Sequence, residues 1–357
     1  MRVIRLVVSG LRRLEQVEFA PIAGLNLVTG ANGAGKTSLL EALHLMAWGR
    51  SFRGRVRDGL VRTGTPALEV FVEWQEGPEA RLRRAGLRHT GQEWIGRLDG
   101  AAVNQLGELC AALAVITFEP GSHALVTGGG ESRRRFVDWG LFHVEQGFLP
   151  VWRRYARALK QRNALLKAGG ERQLDAWDAE LADAGESVSQ YRQDYLRRLQ
   201  PVLARTAAEL VPALGAAELV FQPGWRRGEL SLADALLLAR DRDRQFGHTG
   251  VGPHRADWRV EFAALPGRES LSRGQAKLTA LSCLLAQARD YAALRGEWPV
   301  IALDDLASEL DRDHQRRVLA ELQASGAQAV ITATESSLPD WQPDALFHVE
   351  QGQLRQA

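Results

Sequence analysis

The sequence predicts an α/β protein in which the two ends of the chain form one head and the middle forms an inserted helical arm. Three observations predict this arrangement. A short apolar strand, a glycine-rich turn and a helix follow one another near the N-terminus. The pattern from about residue 136 to 214 is helical, with few glycines. Near the C-terminus, a fully apolar run ends at two aspartates. Strands and helices that alternate around glycine turns are typical of α/β folds.

The first lobe is predicted from short apolar runs. Residues 3–8 and 25–29 are apolar-rich and precede glycine-containing turns, and residues 68–74 alternate as a half-buried strand does. Residues 113–118 are apolar enough for a buried strand. From Lys36 onward, leucines and a methionine recur at intervals of three and four residues, which predicts a helix over residues 36–48.

The arm is predicted from the long helical pattern in the middle of the chain. Apolar residues recur there at helical intervals, and the glycines at 169 and 170 indicate a turn between two helices. The α/β pattern returns near residue 247, and a buried strand is expected at 300–303. We therefore expect an N-terminal lobe over residues 1–130, an arm over 131–245 and a C-terminal lobe over 246–357.

The composition limits the classes of protein to which this chain can belong. The chain has 357 residues, and it contains no apolar stretch as long as the roughly 20 residues that a bilayer span needs. Its N-terminus does not have a signal-peptide pattern. We therefore expect a cytoplasmic protein with no membrane partner. The net charge is only +2, but just four of the 45 basic residues are lysines. Contacts to phosphate would therefore be made mostly by arginine.

Residues 30–37 fit the phosphate-binding pattern G-x-x-x-x-G-K-[ST], with a strand before them and a helix after them. The glycines let backbone N–H groups converge on phosphate oxygens, and the start of the helix adds partial positive charge. Lys36 would reach the β- and γ-phosphates, and the Thr37 hydroxyl would bind Mg²⁺. The predicted ATP-binding residues are Gly30, Ala31, Asn32, Gly33, Ala34, Gly35, Lys36, Thr37 and Ser38.

Two adjacent carboxylates follow the apolar run at 300–303. In phosphate-loop ATPases an aspartate at this position holds Mg²⁺, which assigns Asp304 and Thr37 to the metal. Asp305 then stands where a general base could orient the attacking water. Adjacent strand residues point to opposite faces, so both roles require the strand to end here. The predicted catalytic residues are Lys36 and Asp305.

A third motif, Leu271-Ser-Arg-Gly-Gln275, precedes an apolar helix expected to begin near Ala276. It resembles the LSGGQ signature of ABC-type ATPases, a second phosphate site that binds the nucleotide of another subunit. The signature residues are Ser272, Arg273, Gly274 and Gln275, and they imply an ATP-dependent homodimer. Asp311 ends a segment similar to a D-loop. Thr332 and Thr334 stand where transporter ATPases have the H-loop histidine.

The helical insert distinguishes among ABC-type proteins, because 236 residues separate Lys36 from Ser272. This is far longer than in transporter subunits and too short for an SMC coiled coil. Several segments in order then resemble the RecF family, and the similarity spans nearly the whole chain. These segments are residues 30–42, 49–53, 133–139 (R-R-R-F-V-D-W), 159–163 (L-K-Q-R-N), 252–257 (G-P-H-R-A-D), 271–275 and 303–311.

The resemblance implies an ATP- and Mg²⁺-dependent switch of DNA replication, recombination, repair and the SOS response. It implies binding to double-stranded DNA near single-strand gaps, partners RecR and RecO, help in RecA loading, and weak, DNA-dependent ATP hydrolysis. Because Asp305 is shorter than the glutamate of many ABC ATPases, we expect hydrolysis to be slow. Residues 120–122 depart from the family's P-E-D, which leaves the nucleotide-sensing residue open, and His254 receives no role.

Two other functions stay open from sequence: a transporter ATPase subunit, which the long insert and the H-loop threonines disfavour, and a non-hydrolysing DNA clamp. The candidate DNA contacts lie in two basic segments. Arg153, Arg157, Lys160 and Lys167 fall near one face of a predicted helix, and Arg53 belongs to a second cluster with Arg50, Arg55 and Arg57. The alternative for the helix is a solvated face, or one that pairs with acids of the next helix such as Asp175, Asp178 and Glu180.

Overall fold

The structure is a computed structural model that describes residues 1–54, 59–169, 173–265, 271–334 and 341–356. The chain divides into two compact units. The first consists of residues 1–122 and 288–357, and the second of residues 123–287. Compactness thus groups residues 246–287 with the arm, and the division into three domains at residues 130 and 245 stays a prediction. Across the described residues, no helix combines the length and apolar character needed to cross a membrane.

One sheet of the first unit is antiparallel and has six strands in the order β2-β1-β4-β5-β6-β7. Its strands alternate between buried and exposed residues, because one face packs on the core. The strands are β1 (Arg2–Leu11), β2 (Leu14–Phe19), β4 (Leu68–Glu76), β5 (Arg81–His89), β6 (Trp94–Leu98) and β7 (Ala101–Val103).

The other sheet of the first unit has the order β14-β13-β3-β12-β11-β8 and is parallel except for β14 at one edge. Four of its strands, β3, β8, β11 and β12, are buried along their whole length, as expected of a sheet covered on both faces. The strands are β3 (Leu25–Thr29), β8 (Val115–Phe118), β11 (Val300–Leu303), β12 (Ala329–Thr332), β13 (Ala345–Glu350) and β14 (Gln353–Gln356).

Helix α1 (Lys36–Trp48) lies at the centre of the first unit. It spans the residues predicted from sequence and is buried on nearly all sides, including its polar Glu41 and His44. Its leucines join side chains from both sheets in one hydrophobic core. The other helices that lie wholly in this unit, among the described residues, are α2 (Leu106–Ala112), α9 (Leu306–Glu309) and α10 (Arg312–Ser325).

The second unit is mainly helical, as the sequence predicts for the middle of the chain. Its longest helix, α6, holds Pro201 in its interior. The helices are α3 (Ala124–Thr127), α4 (Gly130–Val144), α5 (Phe148–Ala168), α6 (Leu174–Leu210) and α7 (Leu232–Phe246), and α8 (Arg273–Arg295) continues into the first unit. Short 3-10 turns occupy Pro212–Leu214 and Pro253–Arg255, and β9 (Ala217–Gln222) pairs antiparallel with β10 (Asp257–Phe262).

Candidate functional site

The phosphate-loop motif lies between β3 and α1, at the carboxyl end of the parallel sheet. Gly30 has φ 145°, and a Cβ there would lie 2.2 Å from the Val349 carbonyl oxygen. Gly35 has φ 124°, and its Cβ would lie 2.7 Å from Leu14 Cδ2. Only glycine adopts such backbone angles without strain. These two positions therefore explain why the loop needs glycine to turn directly from strand to helix.

Lys36 is buried at the first residue of α1. Its Nζ donates to the carbonyl oxygens of Gly30 at 2.7 Å and Ala31 at 3.1 Å, so the loop wraps around the ammonium group. The first backbone N–H groups of a helix have no partner within the helix and favour an anion. The Lys36 ammonium group and the start of α1 thus both contribute positive charge at the phosphate loop.

Asp304 is buried directly after β11 and faces the phosphate loop. Its Oδ1 accepts hydrogen bonds from Thr37 Oγ1 at 3.0 Å and from Thr332 Oγ1 at 2.7 Å. Burial raises the pKa of Asp304 above its usual value, and the two hydroxyl donors oppose this shift. The structure therefore brings together Thr37 and Asp304, the two residues predicted to hold Mg²⁺.

Asp305 adopts the left-handed conformation, with φ 51°, at the point where the strand ends. This turn lets both aspartates line the same cleft, as the two predicted roles require. Its N–H donates to Thr332 Oγ1 at 2.8 Å, and its Oδ2 accepts from Ser308 Oγ at 2.7 Å. The carboxylate thus lies at the cleft and is held by a hydroxyl from α9.

Thr332 occupies one of the two positions predicted to be the H-loop. It is fully buried at the end of β12, and its hydroxyl donates to Asp304 while accepting from the Asp305 N–H. The hydroxyl therefore uses both its donor and its acceptor function in hydrogen bonds to the two aspartates. Thr334 lies two residues beyond the strand and is not among the described residues that line the cleft.

Several arginines line the cleft, and the sequence motifs did not indicate most of them. The cleft has a volume of about 420 Å³. Glu41 of α1 is fully buried and accepts from Arg12 at 2.9 Å and from Ser51, and Arg53 approaches it to 3.7 Å. The arginine side chains that line the cleft are those of Arg12, Arg13, Arg53 and Arg62. Such a basic wall favours an anionic ligand.

The signature residues lie in the second unit at the start of α8, which begins three residues before the predicted Ala276. Ser272, Arg273 and Gly274 are exposed. The Ser272 N–H donates to Gln275 Oε1 at 2.9 Å, and the Gln275 N–H donates to Ser272 Oγ at 3.3 Å. This is a capping box, and it accounts locally for a serine and a glutamine at this spacing. It also presents the helix start to solvent.

Asp311, the predicted D-loop residue, begins α10. Its Oδ1 accepts from the N–H groups of Asp313 and His314, each at 3.0 Å, and its Oδ2 bonds to His314 Nδ1. These bonds lower the pKa of Asp311, with the bond from the His314 N–H as the largest cause. Asp311 therefore has a structural role as the N-cap of α10.

The predicted DNA-binding face of α5 is partly neutralised by α6. Arg157 is 68% exposed and lies 4.0 Å from Glu180, while its neighbour Arg154 binds the same carboxylate at 2.6 Å. Arg153 is half-buried, and Lys160 is exposed. The alternative of pairing with acids of the next helix thus holds for part of this face. Arg55 and Arg57 of the second cluster lie outside the described residues.

Three of the family-like segments are accounted for by internal contacts of the second unit. Arg133 forms a bidentate ion pair with Asp257, with N–O distances of 2.6 and 2.8 Å. Arg162 is fully buried and binds Asp178 at 2.5 Å and Asp243 at 2.7 Å. These arginines therefore have an internal structural role, because the loss of either arginine would leave its carboxylate partners without their ion pairs.

His254 belongs to the same internal network. Its Nε2 lies 2.9 Å from the Thr249 carbonyl oxygen, which can only accept, so Nε2 carries the proton. Nδ1 then accepts from the Tyr155 hydroxyl at 2.7 Å. Burial lowers the pKa of His254 to about 4. The histidine is therefore a neutral structural residue of the G-P-H-R turn.

The fold and the site together define a class of protein. A parallel sheet carries the phosphate loop after β3 and the carboxylate pair after β11, with β12 between these strands. An antiparallel sheet completes the unit, and a serine-capped helix follows a long helical insert. This is the head of an ABC-type ATPase.

Comparisons with known proteins specify the class further. The model of the RecF/RecN/SMC N terminal domain matches residues 2–353. The chain is 67% identical to the DNA replication and repair protein RecF of Stenotrophomonas maltophilia, with 99% of each chain covered. It is 66% identical to that of Xanthomonas axonopodis pv. citri, covering 100% of this chain and 99% of the relative.

Solved structures give the same result. The structure of the recombination mediator protein RecF-ATP in the RecFOR pathway matches with a TM-score of 0.89 and 25% identity, covering 100% of this chain and 97% of that one. An SMC head bound to the C-terminal winged-helix domain of ScpA matches with a TM-score of 0.57 and 15% identity, which shows the fold alone. The chain belongs to the RecF family of DNA replication and repair proteins, as its motifs predict, and not to the transporter ATPase subunits.

Proposed function

We propose that this chain is an ATP-dependent DNA-binding switch that acts in recombinational repair and replication restart. The observation that carries the proposal is the meeting of Lys36, Thr37 and Asp304 in a cleft walled by arginines. The proposed ligands are ATP and Mg²⁺. The loop glycines, Lys36 and Ser38 would bind the phosphates.

The metal would depend on few protein groups. Among the described residues, no cluster of three or more His, Cys, Asp or Glu side chains could hold a metal by itself. Mg²⁺ is usually held by one or two protein oxygens together with phosphate oxygens and water, which Thr37 and Asp304 suit. When bound, the ion supplies charge neutralisation at the transferred phosphate.

Hydrolysis would be the resetting step of the switch. Asp305 is the proposed general base, since its carboxylate lines the cleft beside Asp304. In the single chain its Oδ2 accepts the Ser308 hydroxyl, so this oxygen is occupied until that bond is replaced by one to the attacking water. This supports slow turnover for an isolated subunit, and we propose that DNA stimulates this weak ATPase.

Dimerisation would complete the nucleotide site. The signature residues of one subunit, Ser272 to Gln275, of which the first three are exposed, would bind the γ-phosphate held by the other. Asp311 and its loop would lie at the same contact. ATP would thus drive assembly of the homodimer on duplex DNA near a single-strand gap. The proposed DNA contacts are Arg53, Arg153, Arg157 and Lys160.

The partners follow from the family. A solved relative is described as a recombination mediator of the RecFOR pathway, which supports RecO and RecR as partners of this chain and RecA loading as the outcome. A cytoplasmic location fits this role.

The charge-preserving variant Lys36→Arg tests the switch against a non-hydrolysing clamp. Duplex DNA carrying a gap would be titrated with wild type and variant, with and without ATP–Mg²⁺. A switch requires that ATP strengthen wild-type binding and that Lys36→Arg abolish this effect, because the longer guanidinium does not fit the loop. A variant that binds gapped DNA as wild type does would establish the clamp instead.

A further inference from the structure

Glu41 lies inside the first unit, on the helix that begins with Lys36, and its side chain is fully buried. Residues four apart lie on the same face of a helix, so Glu41 is one turn along α1 from Thr37. The phosphate-loop pattern ends at residue 37 and does not account for an acid at residue 41. A buried carboxylate is unfavourable unless it is paired, so the partners of Glu41 must explain its place in the helix.

The main partner of Glu41 is Arg12, in the turn between β1 and β2. Arg12 Nη2 donates to Glu41 Oε1 at 2.9 Å, and Arg12 Nε lies 3.3 and 3.2 Å from the two carboxylate oxygens. Two donors on one carboxylate fix the plane of a guanidinium group as well as its distance. Arg12 also lines the proposed nucleotide cleft. Its guanidinium is therefore held at the cleft in one orientation, by a carboxylate that solvent does not reach.

The backbone of Arg12 also indicates that the side chain is what matters at this position. Arg12 has φ 54°, in the left-handed region that glycine adopts with the least strain. The geometry of the turn alone therefore favours glycine over arginine. Residues held in such conformations cluster at active sites and ligand-binding sites. The guanidinium group of Arg12, and not its backbone, thus accounts for an arginine in this turn.

Glu41 also fixes a second arginine of the cleft. The Ser51 hydroxyl donates to Glu41, and Ser51 Oγ accepts from the N–H of Arg53 at 2.9 Å. The Arg53 guanidinium approaches Glu41 to 3.7 Å and also lines the cleft. One carboxylate therefore holds two guanidinium groups from separate segments and neutralises only one of their two charges. The remaining positive charge favours an anion in the cleft.

We propose that Glu41 is a positioning residue for ATP hydrolysis, which holds Arg12 and Arg53 where negative charge develops on the transferred phosphate. Donors that are fixed in advance stabilise a transition state without having to reorient. Glu41 touches neither the nucleotide nor the metal and acts only through the two arginines. The inference rests on the proposed ATPase function and adds to it a residue that lies outside the phosphate-loop, carboxylate and signature motifs.

The test is Glu41→Gln, which keeps the size of the side chain and removes its charge. In steady-state turnover with gapped DNA, kcat should fall at least about tenfold, because the guanidinium groups are no longer fixed. The affinity for a fluorescent ATP analogue with Mg²⁺ should not weaken, because the cleft becomes more positive. A variant with the kcat of wild type would overturn the proposal, and so would one that loses ATP binding as much as turnover.

Two further variants separate positioning from stability. Asp138→Asn removes a buried carboxylate that accepts two hydrogen bonds of 2.8 Å from Arg192 in the second unit. It should lower the midpoint of denaturant unfolding and leave kcat unchanged. Arg12→Gln should by itself lower kcat, whether or not Glu41→Gln folds, and in the Arg12→Gln background Glu41→Gln should cost little further activity. A full additional tenfold loss in that background would show that Glu41 does not act through Arg12.

The same measurements distinguish this inference from the function on which it rests. A wild type that neither binds nor hydrolyses ATP would overturn the proposed function and the role of Glu41 together. A wild type that does both, beside a Glu41→Gln variant that turns over equally fast, would overturn the role of Glu41 alone.

Discussion

Thr332 shows how one buried hydroxyl organises the candidate active site. It donates to Asp304 Oδ1 and accepts the N–H of Asp305. These two hydrogen bonds hold the end of β11, where the chain turns so that both aspartates line the same cleft. A buried N–H without a partner is unfavourable, by about 1–3 kcal/mol. The hydroxyl therefore stabilises the left-handed turn at Asp305 as well as positioning the carboxylate proposed to bind Mg²⁺.

Thr332→Val removes this hydroxyl with little change in volume. We expect ATP hydrolysis to fall at least about tenfold, with a higher Mg²⁺ requirement, because both aspartates lose a positioning contact. Thr332→Ser keeps the hydroxyl and should restore most of the activity. Steady-state turnover over a Mg²⁺ titration measures the effect. If the valine variant hydrolyses ATP as wild type does, Thr332 has no such role.

At the scale of elements, three family-like segments are held together by one network in the second unit. The His254 ring bridges the Tyr155 hydroxyl of α5 and the Thr249 carbonyl, and Asn163 of α5 accepts the Thr249 N–H at 2.8 Å. Arg192 of α6 donates to the Pro253 carbonyl at 2.6 Å and pairs with Asp138 of α4. The G-P-H-R turn is thus fixed by three helices.

This network predicts a pH dependence of stability. Because burial lowers the pKa of His254 from 6.5 to about 4, the unfolded chain binds a proton more readily than the folded one. The stabilisation by neutral His254 is fully present above pH 6.5 and is lost as pH falls towards about 4. The free energy of unfolding should decline there by up to about 1.4 kcal/mol per pH unit from this group.

The measurement is denaturant unfolding at several pH values, followed by tryptophan fluorescence. His254→Gln cannot titrate and should show a shallower decline between pH 6.5 and 4, whereas His248→Gln, at an exposed histidine of the same segment, should keep the wild-type slope. Equal slopes in wild type and His254→Gln would contradict the assignment of a buried neutral ring.

The structural features that the sequence predicts well are those formed by residues close together in the chain. The loop, α1 and the strand before Asp304 are each encoded in consecutive residues, so their pattern alone locates them. Arg12 and Arg62 could not be assigned to the cleft in this way, because their places depend on strand pairing and on Glu41. The function of the Thr332 hydroxyl likewise depends on β11 and β12 being neighbours, which no local pattern reveals.

At the scale of the whole molecule, the two motifs that we propose bind phosphate belong to different compact units. The phosphate loop lies in the first unit, and the exposed signature helix start lies in the second. Each chain therefore carries a phosphate loop and a separate, exposed signature helix start. This suits assembly of two copies with the nucleotide between them. When the phosphate loop of each copy meets the signature helix of the other, the interface is isologous and closes as a two-fold symmetric dimer.

The mass of the protein in solution with and without ATP–Mg²⁺, measured by light scattering, tests the central claim most directly. We predict a doubling of mass when ATP–Mg²⁺ is added. Ser272→Arg should remain single, while Ser231→Arg, which removes the serine cap of α7 in the same unit, should still dimerise. A wild type that stays single at high concentration with ATP–Mg²⁺, or a Ser272→Arg variant that dimerises as wild type does, would contradict the account.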